Sequence, residues 1–335
     1  MHNTRTGHTA ATERARPPFD PDVAEAIATR SDLVTSLTYE GIFRLRDAAV
    51  RPDEAAMTLN GRFELTRHTV FGPDGNDLTI VLLRPVNRQE AIPVIYHVHG
   101  GGLVVGTAYD VLPFMAALAD RVGMSVASVE YRLAPEHRYP AAVEDVYTGL
   151  TWLAENAESL ALDPQKIVID GVSAGGGLAA AATLAARDRG GPSLLGQMLI
   201  CPMLDHRNDS DSGWQMQGVG VWDRTANAEG WAAYLGNLAA DEVPAYASPA
   251  RADDLSGLPP TFIEVGSAET FRDENIDYAA RIWAAGGDAE LHVWPGGAHG
   301  FEALVPDSAI TKHARDSRAN WLALLLARAG AAGNA

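Results

Sequence analysis

The side chains best suited to covalent chemistry centre on one serine, in the segment GVSAG at residues 171 to 175. This segment fits G-x-S-x-G, a sharp turn from a strand into a helix that raises a serine hydroxyl above the edge of an α/β sheet. The strand-forming run KIVID precedes it, and small residues follow Ser173. Gly171 and Gly175 are then needed for steric reasons, because side chains in so tight a turn would clash. From these residues alone, a glycine-rich loop that happens to contain a serine is an equal alternative.

A second segment, His99-Gly100-Gly101-Gly102, follows a predicted strand. Consecutive glycines let the backbone approach a ligand closely and turn N–H groups toward one point, as stabilising the oxyanion of an acyl-transfer reaction requires. A dinucleotide-binding turn is the alternative. That turn needs the spacing G-x-G-x-x-G, which this segment lacks.

A nucleophilic serine also needs a histidine as base and a carboxylate that orients it. His299 lies between glycines in GGAHGF, where it can reach a neighbouring site. Two acids follow the predicted strand TFIEV: Glu269 in the loop, and Asp273 in the first turn of the next helix, where an acid also favours the helix dipole. Position favours Glu269, and Asp273 is the alternative. The order serine, acid, histidine is that of α/β-hydrolases.

The elements that must position these segments alternate between strands and helices, which predicts an α/β fold with a mostly parallel, doubly wound sheet of eight strands. Strands are predicted over residues 62–71, 77–85, 92–98, 124–130, 166–170, 196–201, 260–265 and 289–294. Helices are predicted around residues 20–30, 32–48, 108–122, 140–157, 174–188, 271–285 and 310–329. Ligands of such sheets bind beyond the carboxyl ends of the strands, where the candidate side chains lie.

One long interval interrupts the alternation and indicates a cap. Residues 205–246 hold no clear strand but several aromatic side chains, so we expect an ordered insertion over the site. The predicted organisation is a disordered tail over 1–17, N-terminal helices over 18–50 that contribute to the cap, and an α/β-hydrolase core over 51–204 and 247–330.

Composition narrows the class of partner. The net charge of −17 argues against a nucleic-acid partner, because phosphate binding needs clustered Lys and Arg. The single cysteine, Cys201, ends an apolar run and is predicted to be a buried core thiol. A chain with one cysteine can form no intramolecular disulfide, which favours a cytosolic location. No secretory signal and no membrane-spanning run are recognisable, so a cytoplasmic location is expected.

Together the motifs resemble those of bacterial hormone-sensitive-lipase-like (family IV) esterases of the α/β-hydrolase superfamily. The resemblance covers about residues 60–325 and rests on HGGG at 99–102, YRLAPEHRYPAAVED at 131–145, GVSAGG at 171–176, ETFRDE at 269–274 and HGF at 299–301.

The resemblance implies a role for each matching residue. Ser173 would be the nucleophile, His299 the base and Glu269 the acid of a catalytic triad. The N–H groups of Gly101, Gly102 and Ala174 would form the oxyanion hole. The supporting motif residues are His99, Gly100, Gly171 and Gly175, and the expected substrate-pocket residues are Leu103, Trp214, Trp222 and Phe301.

Two positions depart from the family pattern. The residue before the nucleophile is usually Asp or Thr, whereas this chain has Val172, so the geometry or rate could differ here. Most members have Asp where Glu269 stands; the extra methylene moves the carboxylate but need not abolish the triad.

The predicted function is hydrolysis of small, short-acyl carboxylic esters through an acyl-enzyme, with no metal or organic cofactor and with a homodimer compatible with the sequence. An amidase, an arylformamidase or a carbamate hydrolase would use the same triad. A ligand-binding receptor of similar fold is the alternative of another class. Such receptors lack the triad histidine, whereas this chain has His299.

Overall fold

An eight-stranded sheet forms the framework of the molecule. Its strands are β1 (Phe63–Phe71), β2 (Asp77–Pro85), β3 (Ile92–Val98), β4 (Ser125–Glu130), β5 (Leu162–Val172), β6 (Gly196–Ile200), β7 (Thr261–Gly266) and β8 (Ala289–Trp294). In the computed structural model, which describes residues 14–88 and 90–332, the strand order is β1-β2-β4-β3-β5-β6-β7-β8. The pairs β1–β2 and β2–β4 are antiparallel and the other neighbours are parallel, which confirms the predicted sheet.

Helices cover both faces of this sheet. They are α1 (Pro21–Thr29), α2 (Tyr39–Ala48), α3 (Glu54–Met57), α4 (Leu112–Val122), α5 (Ala141–Asn156), α6 (Ala174–Asp188), α7 (Asp211–Gln215), α8 (Arg224–Leu235), α9 (Arg272–Ala284), α10 (Phe301–Leu304) and α11 (Ala309–Ala332). Buried side chains of α4 and α11 pack on one face, and those of α5, α6 and α9 pack on the other. Of the helices described, none is both long and apolar enough to span a membrane. Most of the predicted disordered tail, residues 1–13, lies outside the described residues.

The central strands are buried on both sides, so they are apolar almost throughout. Because side chains alternate along a strand, Ile95 and Val168 face α4 and α11, whereas Tyr96 and Ile169 face α5 and α6. The same alternation directs His97, Asp170 and Val172 toward α4 and α11, near the carboxyl ends of β3 and β5. This edge of the sheet is where the candidate side chains were predicted to meet.

Helix α6 is the most deeply buried helix beside the sheet. It begins directly after Ser173, and every residue from Ala174 to Ala186 is buried. Its sequence AGGGLAAAATLAA carries almost no large side chains, which lets its backbone lie close to β5 and to the chain after β6. The helix that follows the candidate nucleophile is therefore held by close packing along nearly its whole length.

The N-terminal segment differs from its prediction. The expected helix over 32–48 begins only at Tyr39, because the Thr38 side chain caps it by accepting a hydrogen bond from the Gly41 N–H at 3.1 Å. Before the cap, the Thr35 carbonyl accepts from the Asp223 N–H at 2.8 Å, and the Thr35 hydroxyl donates to the Gly220 carbonyl at 2.6 Å. Residues 34–36 are not helical because their polar groups bind the insertion instead of one another.

One polar side chain of helix α2 binds the chain around the glycine loop. The Arg46 guanidinium donates to the Val104 carbonyl at 2.7 Å, to the Ala134 carbonyl at 2.6 Å and to the Glu136 carboxylate at 2.7 Å. Val104 comes two residues after the glycine loop at 99–102. Arg46 thus connects the N-terminal segment to the neighbourhood of that loop.

We expect Arg46→Ala to loosen α2, because charge-assisted hydrogen bonds contribute roughly 1.5–3 kcal/mol each. Backbone amides of residues 39–48 should exchange with deuterium faster in this variant, as followed by mass spectrometry. Arg44 is exposed on the same helix, so Arg44→Ala is the matched control and should leave the exchange unchanged. Equal exchange rates in the two variants would contradict the assigned role of Arg46.

Candidate active site

The turn at Ser173 has a backbone conformation that a residue with a side chain rarely adopts. Ser173 has φ 58° and ψ −122° and stands between the end of β5 and the start of α6. Its N–H donates to the Ile200 carbonyl at 2.8 Å, and its carbonyl accepts from the Met203 N–H at 2.9 Å. Such strain persists only where the surroundings over-determine it, and here the chain around the end of β6 does so.

Two glycines give this turn its space. A Cβ atom on Gly171 would lie 2.2 Å from the Gly175 carbonyl oxygen. A Cβ atom on Gly175 would lie 2.1 Å from the Val98 carbonyl oxygen, at the end of β3. The steric need for Gly175 therefore comes from the neighbouring strand and not from the turn alone.

A chain of hydrogen bonds joins Ser173, His299 and Glu269. His299 Nε2 lies 2.9 Å from Ser173 Oγ, and His299 Nδ1 lies 2.6 Å from Glu269 Oε1. The Asp273 carboxylate lies elsewhere, accepting from the Ser212 N–H at 2.7 Å and from Arg272 at 2.8 Å. Of the two acids that the sequence left open, only Glu269 contacts the histidine.

These three side chains are largely removed from water. The exposed fraction is 11% for the His299 side chain and 1% for that of Glu269, and Ser173 is 6% exposed. Burial by itself would lower the pKa of His299, but its neighbours Cys201 and the Glu269 carboxylate outweigh burial and raise it well above 6.5. Glu269 thus stabilises the imidazolium that forms when the histidine takes a proton.

The glycine loop is held by His99 and Tyr131. Burial lowers the pKa of His99 to about 3, so its imidazole is neutral and Nδ1–H donates to the Gly100 carbonyl at 2.8 Å. The Tyr131 ring stacks on this imidazole at 4.1 Å, and its hydroxyl donates to the His99 carbonyl at 2.8 Å. Because C=O and N–H point in opposite directions across a trans peptide, holding the Gly100 carbonyl also aims the Gly101 N–H.

This loop runs directly beside the nucleophile turn. A Cβ atom on Gly100 would lie 2.9 Å from the Val172 carbonyl oxygen and 3.4 Å from Ser173 Cβ. Among the described residues, the N–H groups of Gly101, Gly102 and Ala174 donate to no protein acceptor. The structure therefore brings unsatisfied N–H donors to the neighbourhood of Ser173.

Trp222 of the insertion packs directly against the glycine loop. A Cβ atom on Gly102, which has φ 60°, would lie 2.0 Å from Cη2 of the indole, so only glycine permits this contact. The Thr270 hydroxyl donates to the Trp222 carbonyl at 2.8 Å, beside Glu269. The insertion is thus fastened both to the glycine loop and to the loop that carries the acid.

The other expected pocket residues are placed differently. Leu103 is buried next to Gly102, with φ 69°. Phe301 packs with Val23 and Ala298, away from Trp222. Trp214 is 40% exposed, and the Arg224 guanidinium stacks 3.7 Å from the centroid of its ring. Trp214 does not join the buried group around Ser173.

Val172 faces a cavity of about 140 Å³ on the α4 and α11 side of the sheet. This cavity, which we call the rear cavity, is lined mainly by apolar side chains of α4, α10 and the strand ends. It also meets the buried pair His97–Asp170, in which His97 Nδ1 contacts Asp170 Oδ2, and the carboxylates of Glu264 and Glu269. The side chain before the nucleophile therefore lines an apolar space bordered by acids, and its Cγ1 would lie 3.3 Å from a Cβ atom on Gly100.

The position of Cys201 beside Glu269 and His299 was not predicted from the sequence. Its predicted burial is confirmed, since the residue is 6% exposed, and burial raises the pKa of its thiol. What the sequence did not predict is that Sγ lies within 4.8 Å of ligand atoms of both Glu269 and His299. The available signal was its position immediately after β6, at the same sheet edge as the nucleophile.

The geometry defines the class: an α/β-hydrolase fold with a serine nucleophile turn, a histidine and an acid. The family model described as "alpha/beta hydrolase fold" matches residues 95–303. The carboxylesterase NlhH of Mycobacterium tuberculosis is 34% identical over 302 residues, which cover 88% of this chain and 93% of that protein.

Two solved structures have the same fold over nearly the whole chain. "Bacterial Heroin Esterase" aligns with a TM-score of 0.83 and 35% identity, covering 92% of this chain and 98% of that one. Esterase LipW from Mycobacterium marinum aligns with a TM-score of 0.82 and 32% identity, covering 93% and 98%. The chain belongs to the hormone-sensitive-lipase-like esterases of the α/β-hydrolase superfamily, as its motifs predicted.

We expect Glu269→Gln to move the acid limb of the pH profile of kcat/KM to lower pH. The carboxylate raises the pKa of His299, so removing its charge lowers that pKa and keeps the base neutral in more acidic solution. The plateau value should fall by about 10²–10⁴-fold, because the imidazolium loses its partner. Asp273→Asn is the matched control and should leave the limb in place. A limb that moves in Asp273→Asn and stays in Glu269→Gln would refute the pairing.

Val172→Thr and Val172→Asp test the environment of the rear cavity. A threonine hydroxyl without a partner there should cost about 1–3 kcal/mol of unfolding free energy. An aspartate would be buried near Asp170, Glu264 and Glu269, so we expect a loss above about 3 kcal/mol, or protonation of the new carboxyl. Denaturant unfolding at pH 5 and pH 8 measures the unfolding free energy of each variant. An aspartate variant as stable as wild type at pH 8 would contradict the placement of Val172.

Proposed function

We propose that this family member hydrolyses small carboxylic esters through an acyl-enzyme intermediate on Ser173. The observation that carries the proposal is the hydrogen-bonded series Ser173, His299, Glu269 beside a loop with unsatisfied N–H groups. A nucleophile, a base, an acid that orients the base, and oxyanion donors are the parts that acyl transfer requires.

In the first half-reaction, His299 Nε2 takes the proton of the Ser173 hydroxyl as Oγ attacks the ester carbonyl. Negative charge develops on the carbonyl oxygen, and the N–H groups of Gly101, Gly102 and Ala174 donate to it. Glu269 stabilises the imidazolium. His299 then gives the proton to the departing alkoxide, which leaves as an alcohol.

In the second half-reaction, water takes the place of the alcohol. His299 removes a proton from the water, which attacks the acyl carbonyl, and the same N–H groups stabilise the second oxyanion. The intermediate collapses, Ser173 recovers its proton from His299, and the carboxylic acid leaves. Each step uses groups of this chain and water.

A short acyl chain fits the space that is left over the nucleophile. Ser173 is only 6% exposed, and Trp222 covers Gly102 directly. We assign residues 205–246 and the N-terminal segment at 18–50 to a cap, since residues 34–36 bind residues 220–223. A bulky acyl group would require this cap to move. The cytoplasmic location and the homodimer stay predictions from the sequence.

Ser173→Ala should lower turnover of p-nitrophenyl acetate and butyrate by at least about 10³-fold, since the acyl-enzyme can no longer form. A fluorophosphonate probe should label wild type once and leave Ser173→Ala unlabelled. Ser193→Ala, at an exposed serine, is the control and should keep both properties. Retained turnover in Ser173→Ala would overturn the mechanism.

A further inference from the structure

We propose that Cys201, Glu269 and His299 form an inhibitory site for a soft divalent cation such as Zn²⁺, reached from the rear cavity. This site goes beyond ester hydrolysis: it shares two residues with the triad and adds a thiol that the mechanism does not use.

The three side chains have the spacing that a metal site needs. Cys201 Sγ, a nitrogen of His299 and a carboxylate oxygen of Glu269 all lie within 4.8 Å of one another. Ligand atoms around one tetrahedral zinc ion are about 3.3–3.8 Å apart, since Zn–S is about 2.3 Å and Zn–N and Zn–O are about 2.0–2.2 Å. Side-chain movements of about 1 Å would therefore bring the three ligand atoms to the spacing of a zinc site.

The types of ligand also suit zinc. Thiolate, imidazole and carboxylate are its usual protein ligands, and sites with three protein ligands keep the fourth position for water. All three residues are buried, and a thiolate beside a carboxylate in such surroundings is favourable only with a positive charge between them. Magnesium prefers oxygen ligands and near-octahedral geometry, so this set discriminates against it.

The rear cavity supplies a way in that does not pass under the cap. Cys201 and Glu269 line its inner part, while Phe114 and Ala303, which also line it, are exposed at the surface. His97 Nε2 and Asp170 Oδ1 border it, and neither finds a hydrogen-bond partner among the described residues. Unsatisfied buried polar atoms in a cavity of this size attract water, which can carry the ion and serve as its fourth ligand.

Zinc binding would inactivate the candidate triad although the metal forms no bond with Ser173. Zn–S, Zn–N and Zn–O bonds form, the S–H bond breaks, and the thiol proton passes to water. The imidazole stays neutral with its proton on the nitrogen that the metal does not use. Since the metal withdraws His299 from the hydrogen bonds it makes with Glu269 and Ser173, the histidine no longer acts as a base.

Inhibition of p-nitrophenyl butyrate hydrolysis by ZnCl₂ tests this site. Zinc should inhibit wild type, EDTA should restore activity, and the same concentration of MgCl₂ should have no effect. With inhibition expressed relative to the zinc-free rate of each variant, Cys201→Ser should raise the half-inhibitory zinc concentration at least tenfold. His292→Gln removes a histidine–carboxylate contact outside the proposed site, His292–Glu290 at 2.8 Å, and should be inhibited like wild type. Equal inhibition of Cys201→Ser, or no inhibition of wild type, would refute the proposal.

Cobalt spectroscopy tests the site without relying on ester hydrolysis. Co²⁺ added to the full chain should give a thiolate-to-cobalt charge-transfer band that saturates near one equivalent and disappears when zinc is added. Because Cys201 is the only cysteine, such a band identifies its sulfur. The band should be absent in Cys201→Ser and Cys201→Ala. A wild-type protein that binds Co²⁺ without this band would sink the proposal even if the chain proved to be an active esterase.

Discussion

The strained backbone at Ser173 is the constraint on which the rest of the structure depends. A non-glycine residue at φ 58° is unfavourable by about 1–3 kcal/mol, so the surrounding chain must hold it. The support comes from Ile200 and Met203, which bind its backbone, and from α6, whose small residues let it start there. Only glycine fits at 171, where a Cβ would meet the Gly175 carbonyl, and at 175, where it would meet the end of β3. The geometry of Ser173 is thus a property of three strands and a helix.

The same arrangement gathers charged side chains at the carboxyl edge of the sheet. Glu269 approaches His299 from the edge of β7, and it keeps the histidine ready to accept a proton although burial opposes a positive charge. Behind them, the His97–Asp170 pair and the rear cavity bring polar groups under the triad. In these surroundings little water screens the charges, so each added or removed charge has a large effect.

The insertion and the N-terminal segment act together because they share hydrogen bonds. Residues 34–36 bind residues 220–223, and Trp222 in turn covers Gly102 and accepts from Thr270. The N-terminal segment is therefore connected through Trp222 to both the glycine loop and the acid loop. The indole occupies the space next to Gly102, which supports the proposed hydrolysis of esters with short acyl groups.

By itself the sequence determined the eight strands, the main helices, and the serine and histidine of the candidate triad. Strand alternation and glycine-flanked motifs are local patterns, which need no knowledge of distant contacts. Only the tertiary structure decided that Glu269 and not Asp273 contacts His299, that helix α2 starts at Tyr39, that Trp214 lies outside the buried group, and that Cys201 adjoins the triad. Those outcomes depend on which segments meet across the fold. Residues 34–36, for example, form hydrogen bonds with an insertion nearly two hundred positions away instead of forming a helix. No local sequence pattern indicates such a distant partner.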